Sequence, residues 1–377
     1  MPYLGILILL TVLGAANFYL AHRTWRWLHC IIPKLSIFIV LLFFVLMTVV
    51  MFLSIANPFS GALQRILSAV GAGWMGIFAY LILFFLLADL VVLIPGLFRL
   101  LSASAMAKLR LAAGITATAL ALSVSLYGFC HAQRLYTAEY TVQLSNAPAS
   151  EMNIVVISDV HLGAVGSEAR LQKIVDQINQ LSPDLVCIAG DFFDTDFRTI
   201  ADPERAIETM LQIQSQYGVY ACLGNHDSGK TLPAMEAFFD RANVTLLKDT
   251  YAVIDGRLLL AGRLDSSPIN GAGELRRGEL AAVLDDADPT LPVVMLDHNP
   301  AHVDTYRGEV DLILSGHTHK GQIFPGELVT DAMYTVDYGY YCREDGLQVI
   351  VTSGAGIWGL PMRVGTDCEI VWIHLKI

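Results

Sequence analysis

Four long apolar stretches in the first third of the chain limit what it can fold into. They cover approximately residues 1–21, 35–56, 73–97 and 111–131, and each is long enough to cross a bilayer as a helix, which takes about 20 residues. A helix buried in a soluble core could explain one such stretch, but not four in series joined by basic linkers. The first stretch lacks a basic segment before it, so it is interpreted as a permanent span rather than a cleaved signal. The sequence therefore predicts a transmembrane unit of four helices over residues 1–131.

Basic residues in the short linkers predict the orientation of these spans. Three lie between spans one and two, three between spans three and four, and one between spans two and three: Arg23, Arg26 and Lys34, then Arg99, Lys108 and Arg110, then Arg65. Short loops rich in Lys and Arg stay in the cytoplasm. We therefore expect a multi-pass protein of the cell membrane whose large carboxyl-terminal domain is extracytoplasmic.

Acidic residues are distributed very unevenly along the chain. Asp89, in the third predicted span, is the only acidic residue before Glu139, although the chain has 35 Asp and Glu against 24 Lys and Arg. An ionisable side chain in lipid is costly and suggests a function, or a hydrogen bond to another span. The acidic remainder of the chain repels polyphosphate backbones, so nucleic acid is not an expected partner.

Five short polar fragments in the last two-thirds of the chain each follow an apolar run. The fragments cover residues 159–161, 190–194, 224–227, 297–300 and 316–319. Apolar runs of this length are typical of buried strands in a parallel sheet. The fragments would then lie past the carboxyl ends of strands, where open α/β sheets bind ligands. We expect a polar connector over residues 132–150 and a layered α/β domain over residues 151–377.

The side chains in these fragments are ones that bind metal ions. Together they offer two Asp, one Asn and four His, and histidine and carboxylate are usual ligands of Zn, Mn and Fe. A set of this size can hold two cations close together, an arrangement that catalyses in-line displacement at phosphorus. Single fragments of this kind occur by chance, but five in series at strand ends are hard to explain as packing.

In this order, the five fragments resemble the motifs of the calcineurin-like metallophosphoesterase superfamily. Residues 315–322 resemble its bacterial membrane-anchored branch in particular. The resemblance implies a four-layer αββα sandwich with a dinuclear metal site at the sheet edge. It says nothing about the four apolar stretches before the domain.

The resemblance also implies which residues bind two divalent ions, which would be Mn, Fe or Zn. Asp159, His161 and His319 would bind the first ion, Asn225, His298 and His317 the second, and Asp191 both. No ligand position of the motif is substituted. A water shared by the two ions would ionise near neutral pH and attack phosphorus as a bridging hydroxide.

Four further residues are candidates beside the ligands. His226 follows Asn225 without being needed as a ligand, so we expect it to protonate the leaving group, with Asp194 orienting its imidazole. Arg263 and Arg363 are weaker candidates for contacts with the substrate. Cys342 and Cys368 could pair if the domain lies in an oxidising compartment.

The sequence therefore predicts a membrane-anchored, metal-dependent phosphoesterase acting on a phosphate ester, with a lipid or envelope component as a candidate substrate. Two alternatives stay open. One is a pyrophosphohydrolase of a nucleotide-sugar lipid, which would work at the cytoplasmic face. The other is a non-catalytic, metal-stabilised binding module, which the presence of both His226 and Asp194 disfavours.

Overall fold

A computed structural model describes residues 2–56, 58–59, 61–144, 150–163, 168–271 and 275–377. The chain forms two compact units, Met1–Phe129 and Cys130–Ile377. The boundary lies close to the end of the predicted transmembrane unit.

The first unit is built from long apolar helices: α1 (Pro2–Ile31), α2 (Ile37–Ala56), α3 (Gly61–Leu97) and α4 (Ala103–His131). All four are long and apolar enough to cross a membrane. Large apolar side chains such as Leu7 and Phe38 are exposed along them, as expected for surfaces that face lipid. The helices extend beyond the apolar stretches, so Arg23, Arg26 and Arg110 lie on helices rather than in linkers.

Asp89 has partners within this unit. It forms an ion pair with Arg23, and it accepts a hydrogen bond from the Tyr19 hydroxyl at 2.8 Å. Both partners lie on α1, whereas Asp89 lies on α3. The costly carboxylate therefore ties two predicted spans together, which is one of the two roles that the sequence left open.

The second unit contains two six-stranded sheets. The first sheet has the order β1-β12-β2-β3-β4-β5 and the second the order β10-β11-β9-β8-β7-β6. In the first sheet the strands are β1 (Tyr136–Gln143), β2 (Glu151–Ile157), β3 (Leu185–Ala189), β4 (Val219–Cys222), β5 (Val244–Leu246) and β12 (Glu369–Lys376). In the second they are β6 (Thr250–Ile254), β7 (Leu258–Gly262), β8 (Val293–Leu296), β9 (Leu312–Ser315), β10 (Gly339–Cys342) and β11 (Gln348–Val351).

The sheets pack face to face, and helices cover their outer faces. Ile154 and Val156 of β2 share one core with Leu258 and Leu260 of β7. On the outer face of the first sheet lie α5 (Glu168–Gln180), α6 (Pro203–Met210) and α7 (Leu232–Arg241). The second sheet is covered more thinly, by α8 (Leu280–Val283) and the 3-10 helix Pro300–Thr305. These layers form the four-layer αββα sandwich expected from the sequence.

The range expected to be a connector contains a strand. β1 lies within residues 132–150 and pairs in parallel with β12 along its whole length. Ala138, Tyr140 and Val142 point toward the core between the sheets while their neighbours are exposed. The strand forms because this alternation gives it one apolar face. The prediction of a connector is therefore corrected for Tyr136–Gln143, and residues 145–149 of the predicted connector lie outside the described residues.

Candidate metal centre

All five polar fragments lie at one edge of the sandwich. Asp159, Asp191 and Asn225 follow β2, β3 and β4, which pair in parallel in the first sheet. His298 and His317 follow β8 and β9, which pair in parallel in the second. Because carboxyl ends of parallel strands meet at the same edge, and the two sheets face each other, residues from both sheets converge there.

The first group of candidate ligands consists of Asp159, His161 and His319. The Nε2 atoms of His161 and His319 lie 3.1 Å apart, and His319 Nε2 lies 3.3 Å from Asp159 Oδ1. His161 Nε2 lies 3.8 Å from the same oxygen. All three side chains are buried. These separations allow the three atoms to surround one ion, because metal–ligand bonds to His and Asp are about 2.0–2.2 Å long.

The second group consists of Asn225, His298 and His317. Asn225 Oδ1 lies 2.8 Å from His317 Nδ1 and 3.2 Å from His298 Nε2. His298 Nδ1 lies 2.8 Å from the Ala189 carbonyl oxygen, which can only accept a hydrogen bond. That contact places a proton on Nδ1 and directs Nε2 toward the centre, as is usual for a metal-binding histidine.

Asp191 lies between the two groups. Its Oδ2 atom is 3.1 Å from His298 Nε2 and 3.9 Å from His161 Nε2. Its Oδ1 atom accepts a hydrogen bond from the His226 backbone N–H at 2.8 Å. One carboxylate thus faces both sets of candidate ligands.

The backbone is left-handed at most of these positions. Five of the candidate ligands have positive φ: Asp159 (53°), His161 (47°), Asp191 (49°), His317 (70°) and His319 (49°). Such values are uncommon outside glycine and cost about 1–3 kcal/mol each. They persist because neighbouring backbone groups hold the loops, as where Asp159 N–H donates to the Gly190 carbonyl at 3.0 Å. Strain concentrated in this way is typical of functional sites.

Two glycines give the ligands room. Gly190 has φ +81°, and a Cβ atom there would lie 2.7 Å from the His298 ring. A Cβ at Gly316 would lie 2.2 Å from Asp159 Oδ2. Any side chain at either position would displace a candidate ligand.

Burial sets the protonation of the isolated site. It lowers the pKa of His161 to about 3 and that of His317 to about 4, and it raises the pKa of Asp159 to about 6. Burial alone would also lower the pKa of His298, but Asp191 outweighs it and the net pKa is well above the usual value. His161 and His317 are therefore neutral at pH 7, as metal ligands must be.

The donor set fits two cations. Asp159 and Asp191 are buried carboxylates, and among the described residues neither forms an ion pair with Lys or Arg. Buried charges of this kind are normally paired or coordinate metals. The histidine nitrogens and the Asn225 oxygen complete two sets of the N/O ligands that suit Mn, Fe or Zn.

His226 lies beside the centre and is held through one ring nitrogen. Its Nδ1 atom is 2.7 Å from the Thr195 hydroxyl and 3.7 Å from Asp194 Oδ1, so the closest partner is Thr195 rather than Asp194. The Trp358 ring lies edge-on to His226, with centroids 5.8 Å apart. The sequence did not single out Thr195, and its position directly after Asp194 was the only available signal.

Neither arginine expected to contact the substrate is free to do so. Arg263 is buried, and it binds Asp249 Oδ1 through Nε at 2.7 Å and the Gly278 carbonyl through Nη2 at 2.6 Å. Arg363 is completely buried and donates to the carbonyl oxygens of His319, Ser353 and Gly356 at 2.7–2.9 Å. Arg363 instead fixes the loop that carries His319.

Asp227 has a structural role that the sequence analysis did not identify. Asp227 is buried and accepts hydrogen bonds from the backbone N–H groups of Phe192, Phe193 and Gly224 at 2.8–3.2 Å. It therefore ties the loops after β3 and β4 together.

Cys342 is exposed and Cys368 is buried, and both are free thiols, so the pairing considered from the sequence is not formed.

The chain is similar to known proteins. The family model of the calcineurin-like phosphoesterases matches residues 152–321. A transmembrane protein with metallophosphoesterase domain from Danio rerio is 30% identical over 300 residues, which cover 74% of this chain and 67% of that protein. An uncharacterized metallophosphoesterase from Helicobacter pylori is 30% identical over 231 residues, 60% of each chain. This chain thus spans about 60% of the length of the Helicobacter pylori relative and 67% of the Danio rerio relative.

A crystal structure of TT1561 from Thermus thermophilus overlaps 55% of this chain and 90% of its own, with 14% identity and a TM-score of 0.36. At that score, the fold assignment rests on the two sheets themselves. The family match, the Danio rerio relative and the ordered metal-binding fragments agree. This chain belongs to the calcineurin-like phosphoesterase family.

Proposed function

We propose that the protein is a membrane-anchored phosphoesterase that hydrolyses a phosphate ester with the help of two divalent metal ions. The observation that carries the proposal is the position of Asp191. Its Oδ2 atom lies 3.1 Å from His298 Nε2 on one side and 3.9 Å from His161 Nε2 on the other. A single carboxylate placed between two sets of N/O ligands is what a two-metal site needs.

Each group of side chains has a distinct part in binding. Asp159, His161 and His319 would hold one ion, and Asn225, His298 and His317 the other, with Asp191 shared. When bound, such a pair would supply a water-derived nucleophile and would neutralise charge on the phosphoryl oxygens. The buried Asp159 and Asp191 carboxylates fix both ions at the sheet edge.

His226 is placed to protonate the leaving oxygen. Its Nδ1 side is occupied by the Thr195 hydroxyl at 2.7 Å, and Nε2 has no hydrogen bond to the described residues. Nε2 is therefore the atom that would donate a proton to the substrate. Asp194, at 3.7 Å from Nδ1, stabilises the charged imidazolium before that transfer.

The surroundings of the site favour a substrate with an apolar part. Helix α9 (Gly326–Met333) packs against the 3-10 helix His319–Gly321, and Leu328, Val329 and Met333 are about 60–70% exposed on it. Tyr334, next along the chain, meets the His317 ring edge-on. We propose that these side chains contact the apolar part of a lipid phosphate ester.

We also propose that the phosphoesterase domain is extracytoplasmic. The support comes from basic residues that cluster at one end of the bundle. They lie on α1 and α4, in the linker between α1 and α2, and in the linker between α3 and α4. Because such residues tend to remain in the cytoplasm, the carboxyl-terminal end of α4 would lie on the opposite side.

Hydrolysis by the full chain in detergent micelles tests the chemistry. The substrates would be p-nitrophenyl phosphate and bis-p-nitrophenyl phosphate, with protein stripped of metal and then supplied with Mn²⁺, Zn²⁺ or Fe²⁺. Asp191→Asn is expected to lose at least about 100-fold in turnover, because removing a bridging charge disrupts both ions. Asp240→Asn, on the exposed end of α7, is the matched control and should retain full activity.

Two ions bound with no turnover on either ester would contradict hydrolysis and favour the non-catalytic binding module. Equal activity of Asp191→Asn and Asp240→Asn would contradict the two-metal site. The preferred ester would decide between monoester and diester hydrolysis.

A further inference from the structure

A basic cavity lies within the first unit. It has a volume of about 150 Å³ and is enclosed by α1, α3 and α4. Three arginines line it, Arg23, Arg26 and Arg110, together with Trp27. Arg26 and Arg110 are exposed on helices apolar enough to span a membrane, and an unpaired charge on such a surface is costly unless an anion meets it.

The positive charge of the cavity is only partly neutralised. Arg23 is paired with Asp89, the only acidic residue in the unit. Arg26 and Arg110 have neither an ion pair nor a side-chain hydrogen bond within the part of the chain that the structure describes. Two guanidinium groups are thus left to interact with something that the protein itself does not supply.

Buried donors in the same cavity also lack acceptors. Trp27 Nε1 and Arg23 Nε are inaccessible and have no hydrogen-bond partner among the described residues. The indole packs closely against α4 at Gly114. A Cβ atom at Gly114 would lie 2.7 Å from Trp27 Cδ1, the atom next to Nε1. Unsatisfied buried donors are rare and indicate a missing acceptor. The rule that basic loops stay in the cytoplasm explains the arginines but not these donors.

The depth of the cavity identifies the source of an acceptor. Arg26 lies five residues from the carboxyl end of α1, and Arg110 seven residues from the amino end of α4. At 1.5 Å per residue, both lie about 8–10 Å inside their helix ends. Arginines this near the end of a membrane helix extend to the interface, where basic pockets between helices bind anionic headgroups. We propose that this cavity binds the phosphate group of an anionic membrane phospholipid, which accepts hydrogen bonds from Arg26, Arg110 and Trp27.

Lipid retention by the full chain tests this directly. The purified protein would be delipidated in detergent, supplied with phosphatidylglycerol or phosphatidylcholine, and examined by native mass spectrometry and thermal unfolding. Phosphatidylglycerol should remain bound and raise the melting temperature, and phosphatidylcholine should do neither. Arg110→Gln should bind it about tenfold more weakly, since one charge-assisted contact is lost.

Matched variants separate the cavity from general attraction of charge. Lys108→Gln removes a neighbouring basic residue of α4 that does not line the cavity, and it should bind as the unchanged protein does. Trp27→Phe keeps the charge and the ring but removes the N–H, so it should weaken binding by a smaller factor. Helix content by circular dichroism verifies that each variant is folded.

Three outcomes would overturn the proposal. Equal retention of phosphatidylglycerol and phosphatidylcholine would show no requirement for an anionic headgroup. Equal losses in Lys108→Gln and Arg110→Gln would show diffuse attraction instead of a site. The same stabilisation by inorganic phosphate alone would assign the cavity to a free anion and not to a lipid.

Discussion

His226 is held on one side by Thr195 and is open on the other, so its removal should affect proton transfer more than metal binding. We expect His226→Ala to lower turnover of p-nitrophenyl esters by about 10²–10⁴-fold, the usual contribution of a general acid. The metal content, measured by inductively coupled plasma mass spectrometry, should stay at two ions per chain.

The control for this variant is His302→Ala, because His302 contacts Ser266 and not the centre; it should be fully active. Thr195→Ala should show a smaller loss, and Thr195→Ser should restore it. A His226→Ala protein that lost its metals together with its activity would show that this imidazole is a ligand.

Metal binding should depend on pH through two ligands. An ion must displace a proton from His298, whose pKa is raised well above its usual value, and below about pH 6 also from Asp159, whose pKa is about 6. Affinity should therefore fall as pH falls, by about tenfold per unit above pH 6 and more steeply below it. Titration of the stripped protein with Mn²⁺ between pH 5 and 8 measures this, and an affinity independent of pH would refute it.

The residue types of the site could be predicted from the sequence, but their contacts could not. The ligands were identifiable because Asp, Asn and His follow apolar runs in a fixed order. The partner of His226 was not, because Thr195 reaches Nδ1 only through a backbone with φ +44°. Arg363 was misassigned because an arginine near a site has the same sequence signature whether it binds substrate or backbone carbonyls.

At the scale of elements, α9 gives a test of the lipid substrate. Replacing Leu328, Val329 and Met333 together by Ser should lower hydrolysis of a lipid phosphate ester at least about tenfold, since even partial burial of these side chains contributes over 1 kcal/mol. Hydrolysis of p-nitrophenyl phosphate should not change. The comparison uses both substrates in the same detergent.

A control for α9 replaces two other exposed apolar residues of the domain, Leu211 and Val253, by Ser. It should leave both activities unchanged. Parallel losses on lipid and soluble esters in the α9 variant would indicate damage to the nearby His319 loop and would count against a role in lipid binding.

Elements with strong local patterns were predicted well, and one that depends on distant pairing was not. In α5, buried Leu171, Ile174, Val175 and Ile178 recur at helical spacing, a pattern that predicts an amphipathic helix from the sequence alone. β1 shows a period-two alternation in the sequence too. Its partner β12, however, is more than 200 residues away in the sequence. The sequence of residues 132–150 alone does not reveal that this segment can pair with β12 at the edge of the first sheet.

For the whole molecule, the orientation of the domain can be measured at Cys342, which is exposed. A maleimide that cannot cross membranes should label it in intact cells, because we propose that the domain is extracytoplasmic. Cys342→Ser identifies the contribution of this thiol against the other cysteines. Labelling of Cys342 only after the cells are permeabilised would place the domain in the cytoplasm and reopen the alternative of a cytoplasmic pyrophosphohydrolase.

The left-handed backbone at five candidate ligands has an evolutionary consequence. Glycine at any of these positions would relieve about 1 kcal/mol or more of backbone strain, so the chain bears this cost in order to keep side chains that can bind metal. Stability and activity are therefore in direct opposition at this sheet edge.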